Sequence, residues 1–290
     1  MHVRKAVLPA AGFGTRFLPA SKAVPKEMMP LVDRPIIQYA VEEAVASGIE
    51  QIIIVIASGR SAIEDHFDSN PNLERWLEER GDIENLRAVR RISEIGTIAY
   101  VHQKEQLGLG HAVLMAKELV GDEPFAVLLS DDVMLNPGGQ PVTAQLIDAY
   151  YANRGSVLAL QRVPTEDVIR YGIAVPRHEE GSLIEIEDLV EKPAIEEAPS
   201  DLAVLGRYVL TPKIFDVLET TTRGAGGEIQ LTDAIRTLSH EQPVFGYQFA
   251  GERHDAGTRL GWMKASIAIA LESDEADEVR TYVRGLDLRH

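Results

Sequence analysis

The amino-acid sequence predicts an α/β protein with an open mixed, mainly parallel Rossmann-like sheet flanked by helices. In the first half of the chain, short apolar runs alternate with segments of helical periodicity, which is typical of parallel strands joined by crossover helices. The run Gln51–Ala57 is continuously apolar after its first residue, as in a strand buried on both faces. A glycine-containing loop follows the first apolar run, where open α/β sheets bind ligands.

The first half of the chain supplies the alternating elements. Pro35 precedes one helical segment and Gly48 follows it, which are common start and stop residues of helices. Apolar runs and helical spacing predict the others. Strands are expected at Val3–Pro9, Gln51–Ala57, Thr97–His102 and Phe125–Ser130, and helices at Pro35–Ser47, Ser61–Phe67, Leu73–Glu79, His111–Leu119 and Val142–Ala152.

After Ser156 the pattern shifts towards consecutive strands, with a turn signal at Glu180-Gly181. Helical segments return near the end of the chain. No repeat, low-complexity tract or obvious linker interrupts the sequence, so we interpret residues 1–290 as a single domain. Strands are expected at Ser156–Val163, Gly172–Pro176, Leu183–Val190 and Leu202–Leu210, and helices at Pro212–Glu219, Ile229–Ser239, Gly261–Glu272 and Asp277–Arg284.

Charge and composition restrict the partners. The 290 residues carry a formal net charge of −16, which disfavours binding to nucleic acid. No apolar run has the length of a membrane span, and the N-terminus lacks the apolar core of a signal peptide. The absence of cysteine excludes disulfides and cysteine nucleophiles. We therefore expect no nucleic-acid or membrane partner and a cytoplasmic location.

The loop from Leu8 to Pro30 has the composition of a phosphate-binding segment. Glycines allow a close approach of backbone N–H groups, while Arg16, Lys22 and Lys26 supply positive charge. Residues 1–34 hold six basic and two acidic side chains, whereas the chain as a whole is acidic. The Walker pattern is absent, and Phe17 replaces the third glycine of a dinucleotide fingerprint. A nucleoside triphosphate fits better than NAD, although a proline-rich turn without a ligand remains the alternative.

Several segments together resemble one enzyme family. The stretch AAGFGTRFLPASKAVPKEMMP is similar to the signature G-x-G-T-R, spacer, P-K of sugar nucleotidyltransferases. In the order of that family follow HQKEQLGLGHA, LSDDV, YGI, VEKP and HDAGT. The runs KEM, HFDSNPNLERWL, GRYVLTPKIF and GGEIQLTDAI further resemble the uridylyltransferases of the family. The resemblance spans nearly the whole chain, and Ser130 is a small departure from the family's usual Gly or Pro.

The resemblance implies transfer of UMP from UTP to α-D-glucose 1-phosphate, which yields UDP-glucose and pyrophosphate with Mg²⁺ as cofactor. It also implies a nucleotide-binding half at residues 1–155 and a sugar-phosphate-binding half at 156–257. The C-terminal helices at 258–290 are a candidate subunit contact, so a homodimer or homotetramer is expected. Packing of these helices within one chain is equally compatible with the pattern.

The same resemblance assigns the metal ligands to Asp131 and Asp255. Asp132 is the rival ligand, because it lies beside Asp131 in the motif LSDDV. Turn or helix-cap roles are the structural alternatives for these aspartates. Catalytic residues are expected to be Arg16, Lys26, Asp131, Lys192 and Asp255.

The nucleotide and the sugar phosphate each have an expected set of contacts. A side-chain amide can donate and accept, so Gln103 suits the edge of uracil. Surface pairing of Lys192 with Glu191, and a helix-start charge at Glu27, are the alternatives there. The sugar-phosphate set is Gly172, Glu191 and Lys192, and the nucleotide set is Ala10, Ala11, Gly12, Gly14, Thr15, Arg16, Lys26, Glu27, Gln103, Gly108 and Asp131.

Two competing functions remain open at this point. Thymidylyl transfer or transfer to another sugar 1-phosphate uses the same chemistry with another base or sugar. A non-catalytic paralogue that binds nucleotide and regulates an active partner is the other class, and the retention of the charged residues argues against it.

Overall fold

The computed structural model describes residues 2–59 and 61–286, and within them a mixed sheet of nine strands runs through the molecule. Four further short strands form two small ribbons. The strands are β1 (Lys5–Ala10), β2 (Pro30–Leu31), β3 (Arg34–Pro35), β4 (Gln51–Ala57), β5 (Thr97–Gln103), β6 (Phe125–Leu128), β7 (Asp132–Leu135), β8 (Ser156–Arg162), β9 (Gly172–Glu180), β10 (Leu183–Glu191), β11 (Leu202–Leu210), β12 (Val244–Gln248) and β13 (Glu252–Asp255).

Helices cover both faces of this sheet. They are α1 (Ile36–Ala46), α2 (Ala62–Phe67), α3 (Pro71–Arg80), α4 (Ile83–Ser93), α5 (Leu109–Leu114), α6 (Lys117–Val120), α7 (Val142–Asn153), α8 (Lys213–Thr220), α9 (Leu231–Ser239), α10 (Arg259–Ala270) and α11 (Ala276–Gly285). In the part of the chain described, no helix combines the length and apolar composition needed to cross a bilayer.

The large sheet has the strand order β5-β4-β1-β6-β11-β8-β12-β10-β9. The strands of the first half pair in parallel: β1 lies between β4 and β6, and β4 also pairs with β5. Strand β11 then joins β6 in antiparallel orientation and connects the second half to the first. The mixed α/β architecture is confirmed, and the carboxyl ends of β1, β5 and β6 meet along one edge.

Strand β4 illustrates why the sheet is buried on both faces. Successive side chains of a strand point to opposite sides. Ile52, Ile54 and Ile56 pack into one apolar cluster with α1 and α7, while Ile53 and Val55 pack into the other cluster with α8 and α9. The uninterrupted apolar run therefore follows from two covered faces.

Some elements differ from the sequence-based expectation. Helix α4 is added after α3, and its mostly polar sequence buries only Leu86. The helix expected at His111–Leu119 is divided into α5 and α6. Strands β2, β3, β7, β12 and β13 were not predicted. Strand β7 pairs with β13 through four residue pairs, and the polar sequence ERHD of β13 hides its strand pattern.

A buried ion pair crosses the interface between the sheet and α1. The Arg207 guanidinium donates from Nε and Nη2 to Glu43 Oε2 at 3.0 and 2.7 Å, and both side chains are almost fully buried. Glu43 Oε1 accepts from Thr143 N and Oγ1 at 2.9 and 2.6 Å. Because every strong donor and acceptor of this pair is engaged, the burial of two charges is tolerated.

We predict that Glu43→Gln lowers the free energy of unfolding by about 3 kcal/mol or more, because it leaves the buried Arg207 charge without compensation. Urea denaturation measures this change. The control is Glu179→Gln, which removes a charge from the exposed partner of Arg162 and is expected to cost about 1 kcal/mol or less. Equal losses in the two variants would contradict the prediction.

Candidate active site

A cleft of about 900 Å³ lies at the carboxyl edge of the parallel strands. Its walls come from segments far apart in the chain, from the loop after β1 to the loop after β13. Ala10, the last residue of β1, does not line the cleft and is 2% exposed. The other residues that the sequence assigns to the site all line it: Ala11, Gly12, Gly14, Thr15, Arg16, Lys26, Glu27, Gln103, Gly108, Asp131, Gly172, Glu191, Lys192 and Asp255.

The loop after β1 is held open by its glycines. Gly14 has φ +65°, and a Cβ there would lie 3.2 Å from Ser21 Cβ and 3.3 Å from Lys26 Cβ. The Gly14 carbonyl accepts from Ser21 Oγ at 2.7 Å. A Cβ at Gly12 would meet no atom within 4 Å, so its backbone faces open space. The loop thus brings Arg16 and Lys26 to one wall of the cleft.

Lys26 and Asp131 form an ion pair at the floor of the cleft. Lys26 Nζ lies 2.6 Å from Asp131 Oδ2 and 3.9 Å from Glu27 Oε1. Burial opposes the charge of Lys26, but the Asp131 and Glu27 carboxylates outweigh it and raise the Lys26 pKa. Burial likewise opposes ionisation of Asp131, but Lys26 outweighs it and lowers the Asp131 pKa. Both groups are therefore charged near neutral pH.

Asp131 and Asp255 approach each other through paired backbones. Strand β13 runs antiparallel to β7, and Ala256 N donates to Asp131 O at 2.8 Å. A Cβ placed at Gly257 would lie 2.9 Å from Asp131 Oδ2 and 3.1 Å from Asp255 Oδ1. The two carboxylates therefore border the same small space, which the missing side chain of Gly257 leaves open.

Asp132 faces a different set of partners. Its Oδ2 accepts from Gly206 N at 3.0 Å, and its Oδ1 accepts from Arg253 Nε at 2.8 Å. Arg253 also donates to Tyr171 Oη at 3.0 Å. Asp132 is 7% exposed and both of its oxygens are engaged, so its contacts link β7, β11 and β13.

Gln103 ends β5 with its side chain at the cleft. Its Nε2 lies 3.3 Å from Gly108 O and 2.8 Å from His111 Nδ1. The following loop is pinned to a distant segment, because Ile229 N donates to Leu107 O at 2.7 Å and Gly110 N donates to Ile229 O at 2.8 Å. The residues before α9 thereby support the loop that carries Gly108.

The opposite wall carries Glu191 and Lys192, whose side chains pair at 2.8 Å. This pair is the alternative that the sequence left open, and it forms at the edge of the cleft. Lys192 adopts a left-handed backbone with φ +46°, and its N–H donates to Tyr171 O at 2.9 Å. A Cβ at Gly172 would lie 2.9 Å from Thr232 Cγ2 and 3.2 Å from Glu191 Oε2, so a larger residue would displace one of these side chains.

Several lining residues were not identified from the sequence. Arg170 Nη2 lies 2.6 Å from Asp255 Oδ2, so each proposed metal ligand has a cation of the protein beside it. Arg170 directly precedes the motif YGI, and Arg253 lies two residues before Asp255. The signal in the sequence that could have identified both arginines is their position beside motifs of the family. Thr232 also lines the cleft, and it lies within the run GGEIQLTDAI, for which the resemblance implied no binding or catalytic role.

The chain is similar to known proteins in sequence and fold. Residues 5–270 match the family model described as nucleotidyl transferase. The chain belongs to the nucleotidyl transferase family. It is 52% identical over 285 residues to the UTP–glucose-1-phosphate uridylyltransferase of Bacillus subtilis (strain 168), with coverage of 98% of this chain and 97% of the relative. It is 50% identical over 287 residues to the enzyme of that name from Staphylococcus epidermidis (strain ATCC 12228 / FDA PCI 1200), with 99% of each chain covered.

Two solved structures resemble most of the chain. A UTP-bound UGPase from Acinetobacter baumannii is 42% identical, with a TM-score of 0.90 and coverage of 98% of this chain and all of the other. A UDP-glucose pyrophosphorylase complexed with UDP-glucose is 43% identical, with a TM-score of 0.85 and coverage of 93% and 100%.

We predict that Gly108→Ala destabilises the protein by at least about 2 kcal/mol. The position has φ +110°, and the new Cβ would lie 2.7 Å from Glu228 Cβ and 2.8 Å from Ile229 O. The matched control is Gly181→Ala in the β9–β10 turn, which has φ +61° and no neighbour within 4 Å, at an expected cost of about 1 kcal/mol. Chemical denaturation measures the free energy of unfolding of both variants. Similar losses would show that the close approach of Gly108 to Glu228 and Ile229 has no special effect on stability.

Proposed function

We propose that the protein transfers UMP from UTP to α-D-glucose 1-phosphate and releases UDP-glucose and pyrophosphate. The observation that carries the proposal is one cleft with Arg16 and Lys26 on one wall, Lys192 on the other and two facing aspartates at the floor. Relatives with this activity in their names are 50–52% identical over nearly the full length.

The reaction joins two anions, and this fact determines what the cleft must do. An oxygen of the sugar phosphate forms a bond to the α-phosphorus of UTP, while the bond from that phosphorus to the bridging oxygen of pyrophosphate breaks. The nucleophile is already ionised, so no protein nucleophile is required. The protein contributes position and positive charge, as in other phosphoryl-type transfers.

The cationic side chains have distinct proposed roles on the two walls. Arg16 and Lys26 bind the triphosphate and stabilise the leaving pyrophosphate, since both reach the cleft from the glycine loop. Lys192 reduces repulsion at the sugar phosphate. Glu191 accepts hydrogen bonds from glucose hydroxyls, and Gly172 leaves room for the sugar. Residues 1–155 would thus bind the nucleotide, and 156–257 the sugar phosphate.

The base is proposed to bind beside Gln103, with backbone groups of Ala11, Gly12 and Gly108 around it. Gln103 is 3% exposed yet lines the cleft, so its amide is aimed at a ligand from a buried position. Uracil offers O2, N3–H and O4 along its edge, and a side-chain amide and backbone groups match that pattern.

Enzymes of the family typically use a divalent metal ion, and we propose Mg²⁺ for this protein. The space beside Gly257, bordered by the carboxylates of Asp131 and Asp255, fits such an ion. Asp131, and not Asp132, is among the nearest atoms to this space, which favours Asp131 as the ligand. When bound, Mg²⁺ supplies positive charge to the phosphate oxygens. Lys26 lowers the pKa of the Asp131 carboxyl, which favours the ionised state that a metal ligand needs.

Pyrophosphate release with UTP, glucose 1-phosphate and Mg²⁺ tests the proposal directly. The expected result is release that needs both substrates and is faster with UTP than with dTTP at equal concentration. Better use of dTTP would assign the protein to thymidylyl transfer. Tight binding of UTP without any release would instead favour a non-catalytic regulatory protein.

We predict that Asp131→Asn and Asp255→Asn each lower kcat about 100-fold or more, because each removes a carboxylate that faces the metal. The free energy of unfolding is expected to change by less than about 1 kcal/mol, since both carboxylates are partly exposed. Asp132→Asn provides the contrast, because it leaves the mostly buried Arg253 without its charge partner and should mainly lower stability. Near-normal turnover of both Asp131→Asn and Asp255→Asn with Mg²⁺ would refute the metal assignment.

We predict that Lys192→Ala raises the KM for glucose 1-phosphate about tenfold, the equivalent of one moderate charge–charge interaction. The KM for UTP should stay within about twofold because the lysine lies on the opposite wall. Lys213→Ala is the matched control, since Lys213 is equally exposed and also ion-paired but lies in α8 outside the cleft. Unchanged use of glucose 1-phosphate by Lys192→Ala would remove Lys192 from the site.

We also propose that the C-terminal helices form a contact between subunits. None of the residues of α11, all of which the structure describes, is buried. Leu260, Met263 and Ile267 of α10 are also exposed. A homodimer or homotetramer would cover these apolar groups. Light scattering that gives the 31.9 kDa mass of a single chain would contradict it.

A cytoplasmic location is proposed because the two substrates are charged phosphates that do not cross a bilayer unaided. Cell fractionation tests this location, and recovery of the protein outside the cytoplasm would contradict it.

A further inference from the structure

Gln103 is oriented by a residue outside the cleft. His111, in α5, is half-buried and does not line the cleft, yet its Nδ1 lies 2.8 Å from Gln103 Nε2. The same Nε2 lies 3.3 Å from Gly108 O. This end of the Gln103 amide is therefore held by two groups at once.

The chemistry of these partners determines which way the amide faces. A backbone carbonyl can only accept, so the group that faces Gly108 O must be the NH₂ end of Gln103. The second hydrogen of this NH₂ group then points at His111 Nδ1, which must accept it. His111 is consequently neutral, with its own hydrogen on Nε2. The carbonyl oxygen of Gln103 remains available to a ligand in the cleft.

The surroundings of His111 support the neutral form. Burial lowers the His111 pKa, and the Glu105 carboxylate, the charged group that acts on the ring, opposes this effect without reversing it. The ordinary pKa of histidine is about 6.5, so the ring is an acceptor at neutral pH.

We propose that His111 is a positioning residue that makes the site select uracil over cytosine. The inference rests on the proposed uridylyl transfer and identifies the residue that makes the base site specific for uracil. A carbonyl oxygen of Gln103 accepts from N3–H of uracil, whereas N3 of cytosine is an unprotonated acceptor and repels that oxygen. A site built to pair with one hydrogen-bonding group strongly rejects an analogue that lacks it.

Three variants test the role of His111. His111→Ala removes the acceptor, so the amide of Gln103 can rotate and the ratio of kcat/KM for UTP to that for CTP should fall about tenfold or more. His111→Asn places an amide oxygen where Nδ1 lies and should restore most of the ratio. His102→Ala is the control, because His102 is the exposed neighbour of Gln103 in β5 and should leave the ratio unchanged. The KM for glucose 1-phosphate should stay within about twofold in all three.

The pH profile gives a readout that a merely structural role would not move. Protonated His111 becomes a donor at Nδ1 and favours the reversed amide, which suits cytosine. The UTP-to-CTP ratio of the wild type should therefore fall as the pH drops below the ordinary histidine pKa of about 6.5, while that of His111→Asn should stay level. Both nucleotides carry the same triphosphate, so its own titration cancels in the ratio.

Calorimetric binding of UTP and CTP separates this inference from the proposed function. A wild type that prefers UTP in binding but releases no pyrophosphate would refute only the proposed turnover. An unchanged UTP-to-CTP ratio in His111→Ala, in both binding and turnover, would overturn the role of His111. A level pH profile in the wild type would also overturn it.

Discussion

The buried pair of Arg207 and Glu43 is the interaction on which the site depends. Arg207 donates to Leu129 O at 3.0 Å and to Asp132 O at 2.7 Å, so it holds the two ends of the turn that carries Asp131. Glu43 lies in α1 and accepts from Thr143 in α7. Two helices, a strand and the turn therefore meet at one charged pair. The desolvation of that pair is offset by a full set of hydrogen bonds, which also gives the turn a single geometry.

Each of the three aspartates at the floor of the cleft is paired with a cationic side chain of the protein. Lys26 pairs with Asp131, Arg253 with Asp132 and Arg170 with Asp255. Like charges so close together would otherwise favour protonation of one member. Lys26 lowers the pKa of Asp131, whereas burial outweighs Arg253 and raises the pKa of Asp132. The contacts of Asp132 give it a supporting rather than an exposed position.

The sequence predicted the parts of the protein that depend on local patterns. Strand β4 is recognisable because both of its faces are apolar, and the glycine loop because its residue types are rare together. The resemblance favoured Asp131 over Asp132 as the metal ligand, but the contact of Asp132 with Arg253 could not be predicted, because the two residues are 121 positions apart. Helix α4 was missed because it buries little besides Leu86. The contact between His111 and Gln103 becomes visible only in three dimensions.

The chain order of the cleft has a consequence for biosynthesis. Arg16, Lys26 and Asp131 lie in the part that leaves the ribosome first, whereas Asp255 and Gly257 follow more than a hundred residues later. Strand β7 lacks its partner β13 until then. A nascent chain can therefore contain the loop of Arg16 and Lys26 before Asp255 and Gly257, which complete the floor of the cleft, have been synthesised. The cleft is therefore complete only after residues 255–257 have been synthesised.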